Sequence, residues 1–180
     1  MNANFLADLK TKTEAKWAAE DVINPAVYEF QFQQGTKWNA GLSIAEIDEY
    51  EHSLGARFPN DYRAMLQYMN GTDRSNLNVH GHSDEPHRSD FTLYSYPRDL
   101  PVVLERISAI EGDRDEIAAV LLDYEQYSLS TDAVLVPVYG HRYLVCDSDP
   151  TQSRVLSIVG ADVITYGMDL EGYLAREFLG

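Results

Sequence analysis

The sequence has little cysteine and little positive charge, and both shortages narrow its possible functions. Its single cysteine, Cys146, cannot form an intramolecular disulfide, so packing and hydrogen bonds must hold the fold, as in a reducing compartment. The chain carries 14 lysine and arginine residues against 29 acidic residues, which gives a formal charge of −15 at pH 7. Because binding to a phosphate backbone needs clustered positive charge, we expect no direct contact with nucleic acid. Solubility or a basic protein partner fits this charge better.

Long apolar runs and the common catalytic motifs are also missing. The opening segment, MNANFLADLKTKTEAKWAAED, interleaves charged and apolar positions and contains no signal-peptide core. No apolar run reaches the roughly 20 residues of a membrane-spanning helix, so we expect a cytoplasmic protein with no membrane partner. The motifs G-x-S-x-G and G-x-G-x-x-G and the Walker loop do not occur, and Cys146 lies in an apolar run typical of a buried, inert thiol. We therefore expect no catalysis and no cofactor.

What the sequence does contain is a succession of helix signals in its first two thirds. Ser43 and Glu46, in SIAE, predict a capping box, and Gly55 supplies the left-handed residue that ends the helix. A second helix is predicted to start at Pro59, and a third at Asp99. The third helix is expected to bury four apolar residues: Val103, Leu104, Ile107 and Ile110.

The last third of the sequence has strand signals instead. The run AVLVPVYGHRYLVCD predicts a hairpin with a two-residue turn at Gly140-His141, and the segments RVLSIVG and DVITY predict two further strands. Asp169 is expected to cap a final helix. Short consecutive strands joined by tight turns pair antiparallel.

These signals predict a single α+β domain with a small, twisted, mainly antiparallel sheet and helices packed mostly on one face. A chain of 180 residues with 44% hydrophobic content can bury one sizeable core. The predicted core residues are Ile44, Ile47, Leu54, Tyr62, Leu66, Val103, Ile107, Val136, Leu144, Val155 and Leu174.

Three of the five histidines lie in one polar segment, NVHGHSDEPHRSD. His80, His82 and Asp84 resemble the H-x-H-x-D start of the metallo-β-lactamase zinc motif, and with His87 they would make the chain a small metal-dependent hydrolase. Glu85 stands where that motif has its next histidine, and the glycine, serine, asparagine and proline around it predict a loop rather than a rigid three-ligand site. We favour a solvated loop and keep the hydrolase as the alternative.

A second possible metal motif is the D-x-D formed by Asp147 and Asp149, directly after an apolar strand. In nucleotide-sugar transferases such a pair holds manganese. Only about thirty residues follow it here, and the chain needs turn-forming residues at this point in any case. We therefore predict a turn.

The run KWNAGLSIAEIDEYEHSLGARFPNDYRAMLQYMNG resembles the opening signature of the SUKH superfamily of Smi/Knr-type proteins. That signature pairs a tryptophan and a G-x-S capping box with E-x-x-L-G, then F/L-P-x-D-Y, then a helix that ends in Asn-Gly. The matching residues here are Trp38, Gly41, Leu42, Ser43, Glu51 to Gly55, Phe58, Pro59, Asp61, Tyr62, Asn70 and Gly71. The resemblance continues more loosely to residue 179 and divides the chain into an N-terminal helical extension, residues 1–37, packed on a SUKH-like domain, residues 38–180.

The resemblance implies a function in binding rather than in catalysis. The superfamily includes fungal cell-wall assembly regulators and many bacterial immunity proteins, which bind and silence toxin domains, often nucleases. It implies that this chain neutralises a toxin domain, and the acidic charge favours a basic one; we expect the chain itself to be a monomer or weak homodimer. A regulatory or scaffold protein with no toxin partner is the remaining alternative. Because the signature residues are mostly explained by architecture, they do not indicate where a partner binds.

The segment EGDRDEIAAVLLDYEQYSLSTD combines acids with two tyrosines that we expect to be exposed, Tyr124 and Tyr127, just before the predicted sheet. Acids can steer a cationic partner, and tyrosine rings can anchor it at small entropic cost. A solubilising helix flank followed by a loop is the simpler interpretation. The candidate partner-binding residues, with the acidic turn added, are Glu111, Asp113, Asp115, Glu116, Asp123, Tyr124, Glu125, Tyr127, Asp147 and Asp149.

Overall fold

The helices and the four strands of the last third follow the order that the sequence predicts, but further short strands lie among the helices of the first half. The structure, a computed structural model, describes residues 1–27, 29–79 and 89–180. The helices are α1 Ala3–Trp17, α2 Ile44–Leu54, α3 Asn60–Tyr68, α4 Leu100–Gly112, α5 Arg114–Glu125 and α6 Leu170–Leu174, which continues as a π-helical segment, Ala175–Leu179. The strands are β1 Phe30–Gln31, β2 Trp38–Ala40, β3 Met69–Thr72, β4 Asn76–Asn78, β5 Ser89–Asp90, β6 Val134–Tyr139, β7 Arg142–Cys146, β8 Val155–Val159 and β9 Asp162–Gly167.

The strands form three small sheets. The main sheet has the order β6-β7-β8-β9, and each neighbouring pair is antiparallel. The predicted two-residue turn joins β6 to β7, with Gly140 at a φ of 52°. Strands β1, β4 and β5 form a second sheet, and β2 pairs with β3 in a third. The predicted α+β class with antiparallel pairing is confirmed.

Most helices cover one face of the main sheet. On that face Val136, Leu144 and Val155 pack into one core with apolar residues of α1, α2, α3 and α6. The opposite face has a smaller core of its own, in which Ile117 and Leu121 of α5 contact apolar residues from all four strands. The alternation of side chains along each strand separates these two cores.

Most of the predicted core residues are buried, but the first residue of α2 and three of the four residues expected to be buried in α4 are not. Ile44 is 60% exposed, because it occupies the first turn of α2 and the buried side of that helix runs through Ile47 and Leu54 instead. In α4 only Val103 is buried; Leu104 is 40% exposed, and Ile107 and Ile110 are half-buried. The reason is that α4 packs along the edge strand β6 and so has one narrow line of contact. The other predicted core residues are buried: Ile47, Leu54, Tyr62, Leu66, Val136, Leu144, Val155 and Leu174.

The predicted helix caps are present. The Ser43 hydroxyl accepts a hydrogen bond from the Glu46 amide at 3.3 Å, and the Glu46 carboxylate accepts one from the Ser43 amide at 2.8 Å. Gly55 ends α2 at a φ of 61°, and the Asp169 carboxylate accepts from the Gly172 amide at 2.7 Å. The N-terminal helix belongs to the same core, since the Trp38 indole donates to the Thr13 hydroxyl at 2.8 Å.

The segment with the three histidines lies outside the described residues, so the structure neither supports nor opposes its interpretation. Among the described ranges there is no group of three or more histidine, cysteine, aspartate or glutamate residues arranged to hold a metal ion. None of the helices in those ranges combines the length and apolar character needed to cross a bilayer.

Candidate functional site

Four of the predicted acids cluster at the start of α5. Asp115 and Glu116 lie in its first turn, Asp113 precedes it, and Glu111 pairs with Arg114 at 3.2 Å. The partial positive charge of a helix N-terminus stabilises nearby carboxylates by about 0.3–1 kcal/mol. The fold itself therefore explains these acids, and their presence does not require a partner.

The two acids at the other end of α5 have no such explanation. Asp123 and Glu125 lie in the last turn, which contains no basic residue. The partial negative charge of a helix C-terminus opposes carboxylates there. Both side chains are exposed, and neither forms an ion pair or hydrogen bond with any residue in the described part of the chain. These two acids destabilise the helix slightly and gain nothing within the molecule.

Two apolar side chains stand among these acids. Tyr124 is 82% exposed, the largest exposure of any large hydrophobic residue in the described ranges, and Leu122 is 55% exposed. The buried side of α5 runs through Ile117 and Leu121, and Leu122 lies off that side; Tyr124 continues the same side one turn later, in the last turn of the helix, where the described residues leave it uncovered. Tyrosine is one of the residue types enriched in protein-binding hot spots, so an exposed tyrosine among acids has the composition of a small binding surface.

Arg114 is the only basic residue of α5, and its side chain points inward. The Arg114 guanidinium donates to the carbonyl oxygens of Ser130 and Ala133, each at 2.7 Å, and is only 18% exposed. It holds the loop after α5 against the start of β6. The outer surface of α5 consequently keeps its full negative charge.

The structure corrects the prediction that Tyr127 is exposed. Tyr127 is half-buried, because the Arg154 guanidinium lies 4.0 Å from the centre of its ring and the ring packs at the rim of the smaller core. Burial is the main cause of a raised pKa at Tyr127, and Arg154 partly opposes it. Tyr127 is thus a structural contact and not a free anchor for a partner.

The predicted acidic turn lies beside Tyr127. The Asp147 carboxylate accepts from the Asp149 amide at 2.8 Å, and the Asp149 carboxylate accepts from the hydroxyl of Thr151 at 2.6 Å and from its amide at 3.0 Å. These bonds to Thr151 lower the pKa of Asp149. The D-x-D segment is therefore a turn, as predicted. Its carboxylates and Tyr127 line one shallow cavity of about 210 Å³, together with Arg154.

The ten predicted residues form two groups and not one surface. Helix α5 has 12 residues and so is about 18 Å long. The acids from Glu111 to Glu116 lie at its start. The second group lies at its end, because Tyr127 follows the left-handed residue Gln126 that terminates the helix and also lines the cavity at the acidic turn. This second group consists of Asp123, Tyr124, Glu125, Tyr127, Asp147 and Asp149.

Sequence reasoning missed two members of this neighbourhood. Leu122 continues an apolar run, AAVLL, in which the sequence does not distinguish the buried Leu121 from the exposed Leu122. Arg154 reaches Tyr127 only because β7 and β8 pair in a register that places Leu144 opposite Val155. A pairing register is not visible in one sequence, so no local signal could have revealed that contact.

Comparison of the chain with protein-family models and with curated proteins gives no significant match. The resemblance to the SUKH superfamily therefore stays a prediction, and the site has to be interpreted from its own geometry.

Proposed function

We propose that this chain is a non-catalytic, cytoplasmic protein-binding domain that neutralises a basic partner, namely a toxin domain of the kind silenced by SUKH-type immunity proteins. One observation carries the proposal: Asp123 and Glu125 flank the exposed Tyr124 at the end of α5, where the helix dipole disfavours them and no described residue pairs with them. Residues that oppose local stability without an internal partner are typical of functional surfaces.

In the proposed mechanism, charge attracts the partner and apolar contact then holds the complex together. The chain has a formal charge of −15, so its long-range field attracts a cationic protein and speeds its approach. Tyr124 then supplies apolar contact area once water is displaced. Because an acidic surface resembles the phosphate backbone that a nuclease holds, it can cover a cationic active site without performing any reaction.

The partner itself supplies the direct test. We expect a toxin domain encoded beside this gene to bind the purified chain with 1:1 stoichiometry and to lose its activity in the complex. Size-exclusion chromatography with light scattering and titration calorimetry measure both the stoichiometry and the affinity. The same light-scattering run on the chain alone tests whether it is a monomer or a weak homodimer. A neighbouring toxin domain that stays active at saturating concentrations of this chain would contradict the proposal.

The hydrolase alternative has a separate test. Elemental analysis of chain purified without a histidine tag is expected to find no stoichiometric zinc. One tightly bound zinc per chain, lost in a His82→Ala variant, would favour a metal-dependent hydrolase over the binding function.

A further inference from the structure

A cleft at the other end of the main sheet has features of a binding site that the acidic surface lacks. Two adjoining cavities of about 200 and 250 Å³ share four lining residues, Glu29, Phe30, Tyr139 and Glu177. We call this space the Glu29–Glu177 cleft. It lies at the start of β7, whereas the Asp147 turn follows the end of that strand, so the two sites can be tested independently. Each cavity by itself is smaller than the roughly 300 Å³ at which pockets for drug-sized ligands begin, so a group that enters one of them must be small.

One side of the cleft is aromatic. The ring centre of Tyr139 lies 5.3 Å from that of Phe178 and 6.1 Å from that of Phe32. Phe32 in turn stacks on Trp17 with the ring centres 4.3 Å apart. These contacts fix the rings, so the aromatic wall is rigid before any guest arrives. Faces of such rings attract cations as well as apolar groups.

On the other side of the cleft lies the Glu177 carboxylate, which has fewer hydrogen-bond donors around it than it can accept. The Glu177 side chain is only 19% exposed, and its nearest cationic nitrogen, Arg142 Nε, is 3.9 Å away. Its Oε2 atom is buried and accepts no hydrogen bond of normal geometry from the described residues, although Arg142, Arg176 and the Tyr166 hydroxyl partly favour its charged form. Burial is the main cause of a raised pKa at Glu177. A buried carboxylate that is incompletely paired gains stability from an additional cation.

Arg142 cannot fully supply that cation, because other groups already hold it. Its guanidinium carbon lies 3.7 Å from the centre of the Tyr166 ring, and its Nη1 donates to the Ser157 hydroxyl at 2.7 Å. These two contacts keep the guanidinium on the sheet and turned away from a closer pairing with Glu177.

In the smaller cavity the Glu29 and Glu177 carboxylates face the single Arg142 guanidinium, which leaves net negative charge there, while Lys16 lines only the larger cavity. Glu29 is exposed at its mouth and raises the pKa of Glu177 further through repulsion. Burial lowers the pKa of His141, which keeps this imidazole neutral at pH 7. The hydroxyl of Thr92, a residue only 6% exposed, also lines the cleft, and its oxygen has no hydrogen-bond partner among the described residues.

We propose that the Glu29–Glu177 cleft binds one organic cation, an ammonium or guanidinium group carried on an apolar stem. The cationic head lies between the two carboxylates with the Thr92 hydroxyl as a further acceptor, and the stem lies along Tyr139 and Phe30. An anion is disfavoured, since two carboxylates face the space and the Arg142 guanidinium is held by Tyr166 and Ser157. The cation comes either from a free amine or guanidine or from a lysine or arginine side chain of another protein.

Titration of the ¹⁵N-labelled chain with butylguanidinium and butylammonium tests this directly. We expect saturable shifts of the Gly140 and Phe30 amide resonances, with affinity at least tenfold higher than for uncharged butylurea or for butyrate. Glu177→Gln is expected to weaken butylguanidinium binding at least tenfold, and Glu29→Gln severalfold. Glu105→Gln removes an exposed carboxylate from α4 as a matched control and should leave the affinity unchanged.

Several results would overturn the proposal. These are no saturable shift with either cation, butylurea or butyrate binding as tightly as the cations, or unchanged affinity in both glutamine variants. Glu29 is exposed, so Glu29→Gln keeps the test decisive even if Glu177→Gln does not fold.

A second arm identifies the source of the cation. If the capped peptide acetyl-Gly-Arg-Gly-amide binds as tightly as butylguanidinium, the cleft accepts a side chain from a protein. If the free cation binds at least tenfold tighter than the peptide, the cleft accepts a small metabolite.

Discussion

Two regions of the chain use acids and tyrosines in opposite ways. In the signature region, residues 37–71, the Glu51 carboxylate accepts from the Phe58 amide at 2.6 Å and pairs with Arg63, and the ring of Tyr50 is buried. At the end of α5, Glu125 has no partner among the described residues and Tyr124 is 82% exposed. The same residue types thus stabilise the fold in one region and lack internal contacts among the described residues in the other.

The glycines and amides of the signature region have structural roles as well. A Cβ atom on Gly41 would lie 1.9 Å from the Gln67 carbonyl oxygen, so only glycine allows α3 to pack this close. The buried Asn70 side chain donates to the Tyr96 carbonyl at 2.7 Å and accepts from the Tyr96 amide at 3.0 Å. This explains why the resemblance to a family concerns architecture and gives no information on the partner.

The largest expected effect is a loss of stability caused by a substitution in the signature region. Gly41→Ala should lower the free energy of unfolding by about 3 kcal/mol or more, because backbone atoms of α3 must move to admit the methyl group. Urea denaturation measures the change. Gly112→Ala is the matched control, since nothing lies within 4 Å of its added Cβ, and it should change stability by less than about 1 kcal/mol. Equal effects of the two substitutions would contradict the close packing at Gly41.

The buried tyrosines of the same region predict a loss of stability in alkali. Burial raises the pKa of both Tyr50 and Tyr62 above the ordinary value of about 10. Above pH 10 the unfolded chain therefore loses protons that the folded chain keeps, so stability is unaffected by these groups below pH 10 and falls above it. Each tyrosine contributes a slope of about 1.4 kcal/mol per pH unit.

Urea denaturation between pH 8 and pH 11 measures that slope. Tyr62→Phe removes one of the titrating groups and should reduce the loss of stability above pH 10 by about 1.4 kcal/mol per pH unit. The same slope in Tyr62→Phe and in the unsubstituted chain would show that other groups cause the alkaline unfolding.

The fold was predictable where local signals agree with one another. The capping box at Ser43, the left-handed Gly55 and the turn at Gly140 each depend on a few neighbouring residues, and all three are present. Burial in α4 was not predictable, because Leu104 is apolar and correctly spaced but lies beyond the edge of the sheet. Helix periodicity shows which side chains share a face, and only the tertiary arrangement decides how wide a face is covered.

The candidate site was only partly predictable for the same reason. The sequence shows that acids and tyrosines alternate near Asp123, but it does not show that Tyr127 is covered by Arg154 while Tyr124 is left free. The Glu29–Glu177 cleft was not predictable, since its lining residues come from positions almost 150 residues apart that are joined only by packing.

On the acidic surface, Tyr124→Ala should affect binding and not folding. We expect dissociation of the toxin complex to become about tenfold faster, as for an anchor residue, with association changed by less than about twofold. The free energy of unfolding should change by less than about 0.5 kcal/mol, since the ring is exposed. Surface plasmon resonance measures both rates. Tyr68→Ala, at the end of α3, is the control, and if it speeds dissociation as much as Tyr124→Ala, Tyr124 is not the anchor.

The smallest expected effect comes from a double substitution that raises stability and slows association with the partner. The double substitution Asp123→Lys and Glu125→Lys places positive charge at the C-terminus of α5, where the helix dipole favours it, so stability should rise by about 0.5 kcal/mol. Association with the toxin domain should slow severalfold at low salt and depend less on salt. The difference should shrink as ionic strength rises, because exposed charges are screened over about 10 Å at 0.1 M salt.

A control at the exposed acids after α1 distinguishes an effect of the α5 surface from an effect of the overall charge. Glu20→Lys with Asp21→Lys changes the net charge by the same amount but leaves the end of α5 intact. If both double variants slow association equally, only the overall charge attracts the partner and no particular surface does so. If the α5 variant gains stability and still binds at the original rate, its acids are not part of the interface. The Asp147–Asp149 turn, joined to α5 through Tyr127, would then be the next surface to substitute.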